Sequence, residues 1–442
     1  MKQIINRSSW IGSMRAILDF TPGRLELNFE RDSTDDERIE GLRYSMNDTT
    51  IYFNLPEELS EIHPDLLGLA TILLCNQFTG DYLQLPRPIS RRFYEMASGV
   101  ISRYKLVEDI DEDIEPIGVN SNGRPGLCFS GGVDSSAALA ILPARTVPVF
   151  LNRPLEQDSL YDSHAPLAIC KMIAQSGYDV NIVNSNLEHI RNPLGFPTDL
   201  ANAIPCLLLS QYLELDSIAF GTILESAYGI GHEHFIDYGK GSHWKFYGTL
   251  FSAVGVELNL PTIGISEVGT AMIGMSSPIA SLGQSCIRGS WKKPCNRCWK
   301  CFRKEMLNFA IDENLGSPEF WRMLDVNEIQ VRLSAFPISH ENVIAYSMQR
   351  IELERHPSLK PIAAKLDMNK NLGFLEKWYS DSIEFVPDKY RNYVRSKILD
   401  FLEPATFEEE MEVKSWDMNP HLASTMAIRA QDRLISYWQD LN

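Results

Sequence analysis

Residues 126–136 read Gly-Leu-Cys-Phe-Ser-Gly-Gly-Val-Asp-Ser-Ser, and no other stretch constrains the fold as tightly. An apolar, strand-like run at 127–129 stops at Ser130-Gly131-Gly132, and a helix-like run at 135–142 follows at once. The turn between them holds two glycines, a carboxylate and hydroxyls. Glycines let backbone N–H groups approach an anion with no Cβ in the way. Those groups and the helix N-terminus converge on a spot that favours phosphate. Asp134 does not belong in a plain phosphate cradle. It suits Mg2+, which would screen the carboxylate from the phosphates. Taken alone, it also suits a helix cap.

The string Ser130-Gly-Gly-Val-Asp134-Ser135 resembles the pyrophosphate-binding loop of the N-type ATP pyrophosphatase superfamily. That resemblance implies splitting of ATP between the α and β phosphates and adenylation of an acid or amide oxygen. It makes Ser130, Asp134 and Ser135 the catalytic candidates, and Ser130, Gly131, Gly132, Asp134 and Ser135 the ATP-binding loop. It is not a Walker A loop, because no Lys follows the glycines.

A chain of 442 residues predicts two or three domains. Its 44% apolar content suffices for full cores. No run of about 18 uncharged apolar residues is present, so no membrane span is expected. Residues 1–7 are too short in apolar length for a signal peptide, and a cytoplasmic protein is the expectation. The formal net charge of −17 argues against broad binding along nucleic acid, where Lys and Arg must neutralise phosphates.

Of eight cysteines, Cys75, Cys128, Cys170 and Cys206 are scattered in apolar surroundings and read as core thiols. The other four are clustered as Cys286-x8-Cys295-x2-Cys298-x2-Cys301. Four thiolates in a reducing compartment suit tetrahedral Zn2+, whose binding contributes to local folding. Iron–sulfur ligation is the main alternative, and a disulfide framework is disfavoured. Arg288, Lys292, Lys293, Arg297, Lys300, Arg303 and Lys304 surround the cluster. They would offset its negative charge or face an anionic ligand.

A Ser-Gly-Gly-x-Asp-Ser loop followed about 150 residues later by this cysteine spacing resembles the QueC family, the 7-cyano-7-deazaguanine synthases. The resemblance covers about residues 120–310. It implies ATP-driven activation of the carboxylate of 7-carboxy-7-deazaguanine, then addition of ammonia and dehydration to a nitrile. It also implies Zn2+ at Cys286, Cys295, Cys298 and Cys301.

Between the two motifs, strands and helices alternate as a parallel α/β sheet requires. Strands are expected at 146–151, 179–183 and 217–222, and helices at 164–176 and 200–213. Ligands in such sheets bind at the carboxyl ends of strands, which nominates Asn152, Gly221 and Thr222 beside Ser130. Phe150 and Leu151 are placed to flank adenine by their backbone. The chain departs from the QueC pattern at Leu151-Asn152-Arg153, at 195–202 and at 225–243. The last stretch, rich in Gly and His, reads as a mobile loop over the acceptor side. His232-x-His234 within it is a weaker metal candidate.

The expected architecture is α/β. A parallel-sheet ATP pyrophosphatase (adenine nucleotide α-hydrolase-like) domain spans 123–312, with a zinc knuckle at 286–301. It follows an α+β module at 1–105 and an acidic linker at 106–122. A mainly helical region at 313–442 comes last. QueC-like proteins with such extensions resemble those of bacterial antiphage operons, some of which attach a deazaguanine to the amino terminus of a partner protein. The resemblance thus implies an ATP-dependent C–N ligase using ATP, Mg2+ and Zn2+. Its amine is ammonia or a partner protein's N-terminus. A tRNA-thiolating enzyme and a non-catalytic ATP-binding scaffold are the rivals, and a homodimer stays open.

Overall fold

The computed structural model describes residues 14–40, 42–154, 161–313 and 319–441. Residues 1–7, read above for targeting signals, lie outside them.

The N-terminal part contains β1 (Met14–Thr21), β2 (Arg24–Glu30), α1 (Ser33–Glu40), β3 (Ser45–Met46) and β4 (Thr50–Asn54). It continues through α2 (Pro64–Cys75), β5 (Tyr82–Gln84), α3 (Arg91–Val100) and β6 (Lys105–Leu106). Alternating buried and exposed side chains make β1 and β2 an antiparallel hairpin, closed by a turn in which Gly23 takes φ +83. A mixed five-stranded sheet in the order β4-β2-β1-β5-β6 results. Helix α2 is apolar on every face and correspondingly buried. Its Leu66–Leu74 side chains belong to the same core as the central domain.

The central part is built from β7 (Arg124–Cys128), α4 (Val133–Ile141), β8 (Val147–Asn152), α5 (His164–Gln175), β9 (Asn181–Asn184) and β10 (Arg191–Asn192). Next come α6 (Ile204–Leu209), β11 (Leu215–Ala219), α7 (Leu224–Tyr228), α8 (Ser242–Ala253), β12 (Glu257–Asn259) and α9 (Glu267–Ser276). Five strands form one sheet in the order β12-β11-β7-β8-β9, and every pairing is parallel. From β7 the chain winds outward through β8 and β9, then returns to the other side of β7 for β11 and β12. The strand order therefore reverses between β7 and β11, where ligands bind in open α/β sheets.

The remaining helices are α10 (Trp299–Ile311), α11 (Glu319–Met323), α12 (Asn327–Leu333), α13 (Glu341–Arg350) and α14 (Lys360–Ala363). They are followed by α15 (Asp388–Leu399), α16 (Phe407–Lys414), α17 (Asn419–Leu422) and α18 (Thr425–Leu441). This region is not an appendage. Trp378, Val386, Tyr390, Val394 and Ile398 share a core with Leu127, Phe129 and Leu139 beneath the sheet. Buried Asp216, at the start of β11, accepts from Tyr390 Oη at 2.5 Å and Lys389 Nζ at 2.6 Å.

The acidic segment after β6 is likewise pinned. Ile89 and Ile110 form a bridge, with Asp111 N donating to Ile89 O at 3.0 Å. No helix among the described residues is long and apolar enough to cross a membrane.

Candidate active site

Strand β7 ends at Cys128, and the chain turns through Ser130-Gly131-Gly132 into α4. Gly131 takes φ +72, a conformation that favours glycine. Gly132 is the N-cap of α4 and makes no side-chain cap bond, so Asp134 is not the cap. The serines knit the turn together. Gly132 N donates to Ser130 Oγ at 3.2 Å, and Ser135 Oγ donates to Gly132 O at 3.1 Å. The two hydroxyls lie 3.0 Å apart.

Asp134 is reached from two other elements. Thr270 Oγ1, on α9, donates to its Oδ1 at 2.8 Å. Lys304 Nζ, on α10, lies 3.8 Å from the same oxygen. About a third of the Asp134 side chain remains accessible, so it retains room for a cation.

A cleft of about 820 Å3 opens at the carboxyl edge of the sheet. Ser130, Gly132, Asp134, Ser135, Gly221 and Thr222 line it together. Gly131 does not line it; a Cβ there would stand 3.2 Å from Pro166 Cα, on α5. Phe150, Leu151 and Asn152 do not line it. The first two are buried in the sheet's core, and Asn152 donates from Nδ2 to Asn184 Oδ1 at 2.7 Å.

The stretch 225–243 differs from the mobile loop expected of it. Glu225, Tyr228, Ile230 and Tyr238 are buried. Helix α7 ends at Gly229 in the left-handed conformation. Gly231 admits Asn342 so closely that a Cβ would stand 2.0 Å from its Oδ1. His232 and His234 do not join a group of three metal-ligating side chains among the described residues. The stretch is held by interior apolar contacts that hydropathy could not separate from its polar neighbours.

The four clustered cysteines do converge, with all Sγ atoms within 4.8 Å of one another. Cys298 and Cys301 sulfurs are 3.5 Å apart, and those of Cys295 and Cys301 3.8 Å. A tetrahedral zinc site with Zn–S bonds of about 2.3 Å has sulfur–sulfur edges of about 3.8 Å, so the residues fit this metal. Cys298 is the N-cap of α10, and Cys295 N donates to Cys286 Sγ at 3.3 Å.

The expected basic halo around the cluster is only partly there. Arg288 pairs with Glu328 at 2.6 Å, while Arg303 and Lys304 turn away to Glu267. Gln284 couples the knuckle to the loop. Its N–H donates to Gly131 O at 2.9 Å, and its Nε2 to Ser290 O at 3.1 Å.

Glu267, at the first position of α9, was invisible as a site residue in the sequence. It is buried, with Arg303 Nη2 and Lys304 Nζ each 3.1 Å from its carboxylate and His340 Nδ1 at 3.6 Å. Burial opposes its ionisation, but Lys304, Arg303 and His340 outweigh it and hold the carboxyl down at about 2. The neighbouring Glu225 accepts from Glu267 N at 3.1 Å and from Asn342 Nδ2 at 2.8 Å. Burial, with repulsion from Glu267, pushes Glu225 up to about 7. Asp134, Lys304 and Glu267 thus form one charged chain from the loop through α10, which begins at the cysteine cluster, to the start of α9.

A family model described as Family of unknown function (DUF6395) matches residues 246–417. The matched span begins inside α8 and ends beyond α16. It takes in Glu267, the cysteine cluster and Lys304, and leaves the loop at Ser130 outside. No curated protein and no solved structure matches the chain.

Proposed function

We propose that the chain is an ATP-dependent ligase of the QueC type. In this reading it adenylates the carboxylate of a 7-carboxy-7-deazaguanine and passes the acyl group to an amine, with AMP and pyrophosphate as products. Residues 123–312 are then an ATP pyrophosphatase-type domain. The observation that carries this reading is the single cleft at the β7/β11 switch point. It is lined by Ser130, Gly132, Asp134 and Ser135, and by Lys300 from the helix that begins at the cysteine cluster.

The loop N–H groups and the two serine hydroxyls would hold the pyrophosphate as it leaves. Asp134 is the residue to hold Mg2+, which when bound would neutralise phosphate charge. The substrate carboxylate attacks the α-phosphorus in line, and the acyl-adenylate then meets the amine. Nothing in this sequence of steps requires a protein nucleophile. The rate comes from positioning and charge stabilisation. The cysteine cluster would hold Zn2+ in a structural role, keeping α10, and with it Lys300 and Lys304, beside the loop.

The test is release of AMP and pyrophosphate from ATP on addition of 7-carboxy-7-deazaguanine, with Asp134→Ala as the control. Substrate-dependent release that Asp134→Ala abolishes supports the reading. Absence of release in the wild type, with ammonium and with co-expressed partner proteins, sinks it. Mass spectrometry then separates the two acceptors. A deazaguanine adduct on a partner protein's N-terminus marks conjugation in antiphage defence, and free nitrile marks 7-cyano-7-deazaguanine synthesis.

A further inference from the structure

The cleft that contains the Ser130 loop is also lined by Asp199, Tyr238 and His243. These three come from different segments: the turn after Pro197, the 3-10 turn Tyr238–Lys240, and the second residue of α8. His243 Nδ1 lies 3.0 Å from the Tyr238 hydroxyl, and its Nε2 faces Asp199 Oδ2 at 3.6 Å. The ring packs on Tyr247, with centroids 4.6 Å apart. Tyr238 and Tyr247 are buried, and burial pushes both phenols up, so they stay protonated. Asp199 is exposed to the cleft, and the His243 beside it holds its carboxyl below the usual carboxylate range.

We propose that Asp199 and His243 form the amine-acceptor site of this ligase, with Asp199 attracting an ammonium and His243 Nε2 removing its proton. The inference depends on the adenylation reading above. With an ammonium seated on Asp199, Nδ1–H donates to the Tyr238 oxygen and Nε2 presents its lone pair to that ammonium. The 3.6 Å separation is too wide for a good direct hydrogen bond. It leaves Asp199 Oδ2 and His243 Nε2 available as two acceptors for one incoming –NH3+.

The chemistry needs such a group, because an amine attacks an acyl-adenylate only as the free base. The ammonium loses one proton to Nε2, which passes it to solvent past Asp199. The nitrogen lone pair then forms the C–N bond at the acyl carbon. The acyl C–O bond breaks, its electron pair leaves with AMP, and the second N–H proton passes to Nε2, free again, and on to solvent as the amide forms. The shared chemistry is a primary ammonium, whether ammonia or a peptide α-amine.

The experiment compares wild type, His243→Asn and Asp199→Asn with ATP and 7-carboxy-7-deazaguanine, reading two steps. Pyrophosphate–ATP exchange reports adenylation. Amide formation is followed with ammonium chloride, with a short peptide bearing a free N-terminal glycine, and with hydroxylamine, which is largely unprotonated at neutral pH and needs no base. The expected result for His243→Asn is a loss of about 100-fold or more in amide formation with ammonium, the peptide or both. Exchange and hydroxamate formation should persist. Asp199→Asn, at an exposed position that does not threaten folding, should raise the KM for the ammonium acceptor and leave hydroxylamine unaffected. Whichever of ammonium and the peptide reacts in the wild type identifies the source of the amine. If His243→Asn retains amide formation, or loses hydroxamate equally, the acceptor assignment is overturned while adenylation stands. If the wild type shows no exchange, the adenylation reading fails and this inference falls with it.

Discussion

Gly221 and Ser135 touch backbone to backbone: a Cβ on Gly221 would stand 2.7 Å from Ser135 N and 2.8 Å from Asp134 C. Gly221, two residues beyond the end of β11, is thereby pressed against the first turn of α4, across the switch point of the sheet. Both atoms it would meet are main chain, so no side-chain rotation can relieve the clash. Gly221→Ala should displace that turn and destabilise the protein by about 1–3 kcal/mol; under the proposed ligase function it should also raise the ATP concentration needed at least about tenfold, equivalent to ~1.4 kcal/mol. Urea unfolding and ATP titration of pyrophosphate release measure the two effects separately.

The cysteine cluster predicts about one zinc per chain, colourless and lost on Cys301→Ser. Metal removal should lower the melting temperature, because α10 begins at Cys298 and carries Arg303 and Lys304 into the interior. Metal analysis and thermal unfolding with and without chelator check this. A brown, iron-containing preparation would refute the zinc assignment.

Glu267→Gln should be among the most damaging single substitutions. It leaves Arg303 and Lys304 buried without their carboxylate, at a cost of about 3–5 kcal/mol. The pH signature is specific. Glu267 has a depressed folded-state pKa, so its contribution is present above the unfolded value of 4.5 and fades as pH falls towards about 2. The stability gap between wild type and variant, read from urea midpoints, should therefore shrink across that window.

Glu225 predicts the opposite slope. Its folded-state pKa is raised to about 7, so its contribution is fully present below 4.5 and is lost as pH rises through 7. Glu225→Gln removes the titration. Between about pH 4.5 and 7 the wild type should lose stability relative to this variant, and parallel profiles would count against the assignment.

Asp216→Ala should loosen the C-terminal region from the sheet. It leaves Lys389 and Tyr390 without the buried acceptor that ties α15 to β11. A loss of about 1.5–3 kcal/mol is expected, the range for a hydrogen bond to a charged group, because Lys389 Nζ keeps its bonds to Ser121 O and Gly123 O, each at 2.8 Å. Hydrogen exchange in α15 should rise more than in α2, which has no contact with that anchor.

Much of the central sheet could be read locally. The strands at 147–152 and 181–184 lie within two residues of their expected limits, as does helix α5. The fourth strand is displaced, running Leu215–Ala219 instead of 217–222. This frees Phe220, Gly221 and Thr222 to form the loop that faces the cleft. The helix expected at 200–213 shortens to a 3-10 turn and α6, with Ser210 to Glu214 turning back into β11. Hydrophobicity continues through these boundaries, so periodicity alone did not mark them.

The sequence by itself determined the Ser130–Ser135 turn and the convergence of Cys286, Cys295, Cys298 and Cys301. In each, the participating residues are close in the chain, and the backbone needs only a few dihedral angles to bring them together. Only the tertiary structure decided what surrounds Asp134. Thr270 is 136 residues away and Lys304 is farther still. Their approach depends on strand order, on α9 packing against α4, and on a buried Glu267 that no local pattern distinguishes from a surface glutamate. The same holds for Asp199 and His243. Charge and burial couple through space, so groups remote in the chain become neighbours only once the sheet has closed around them.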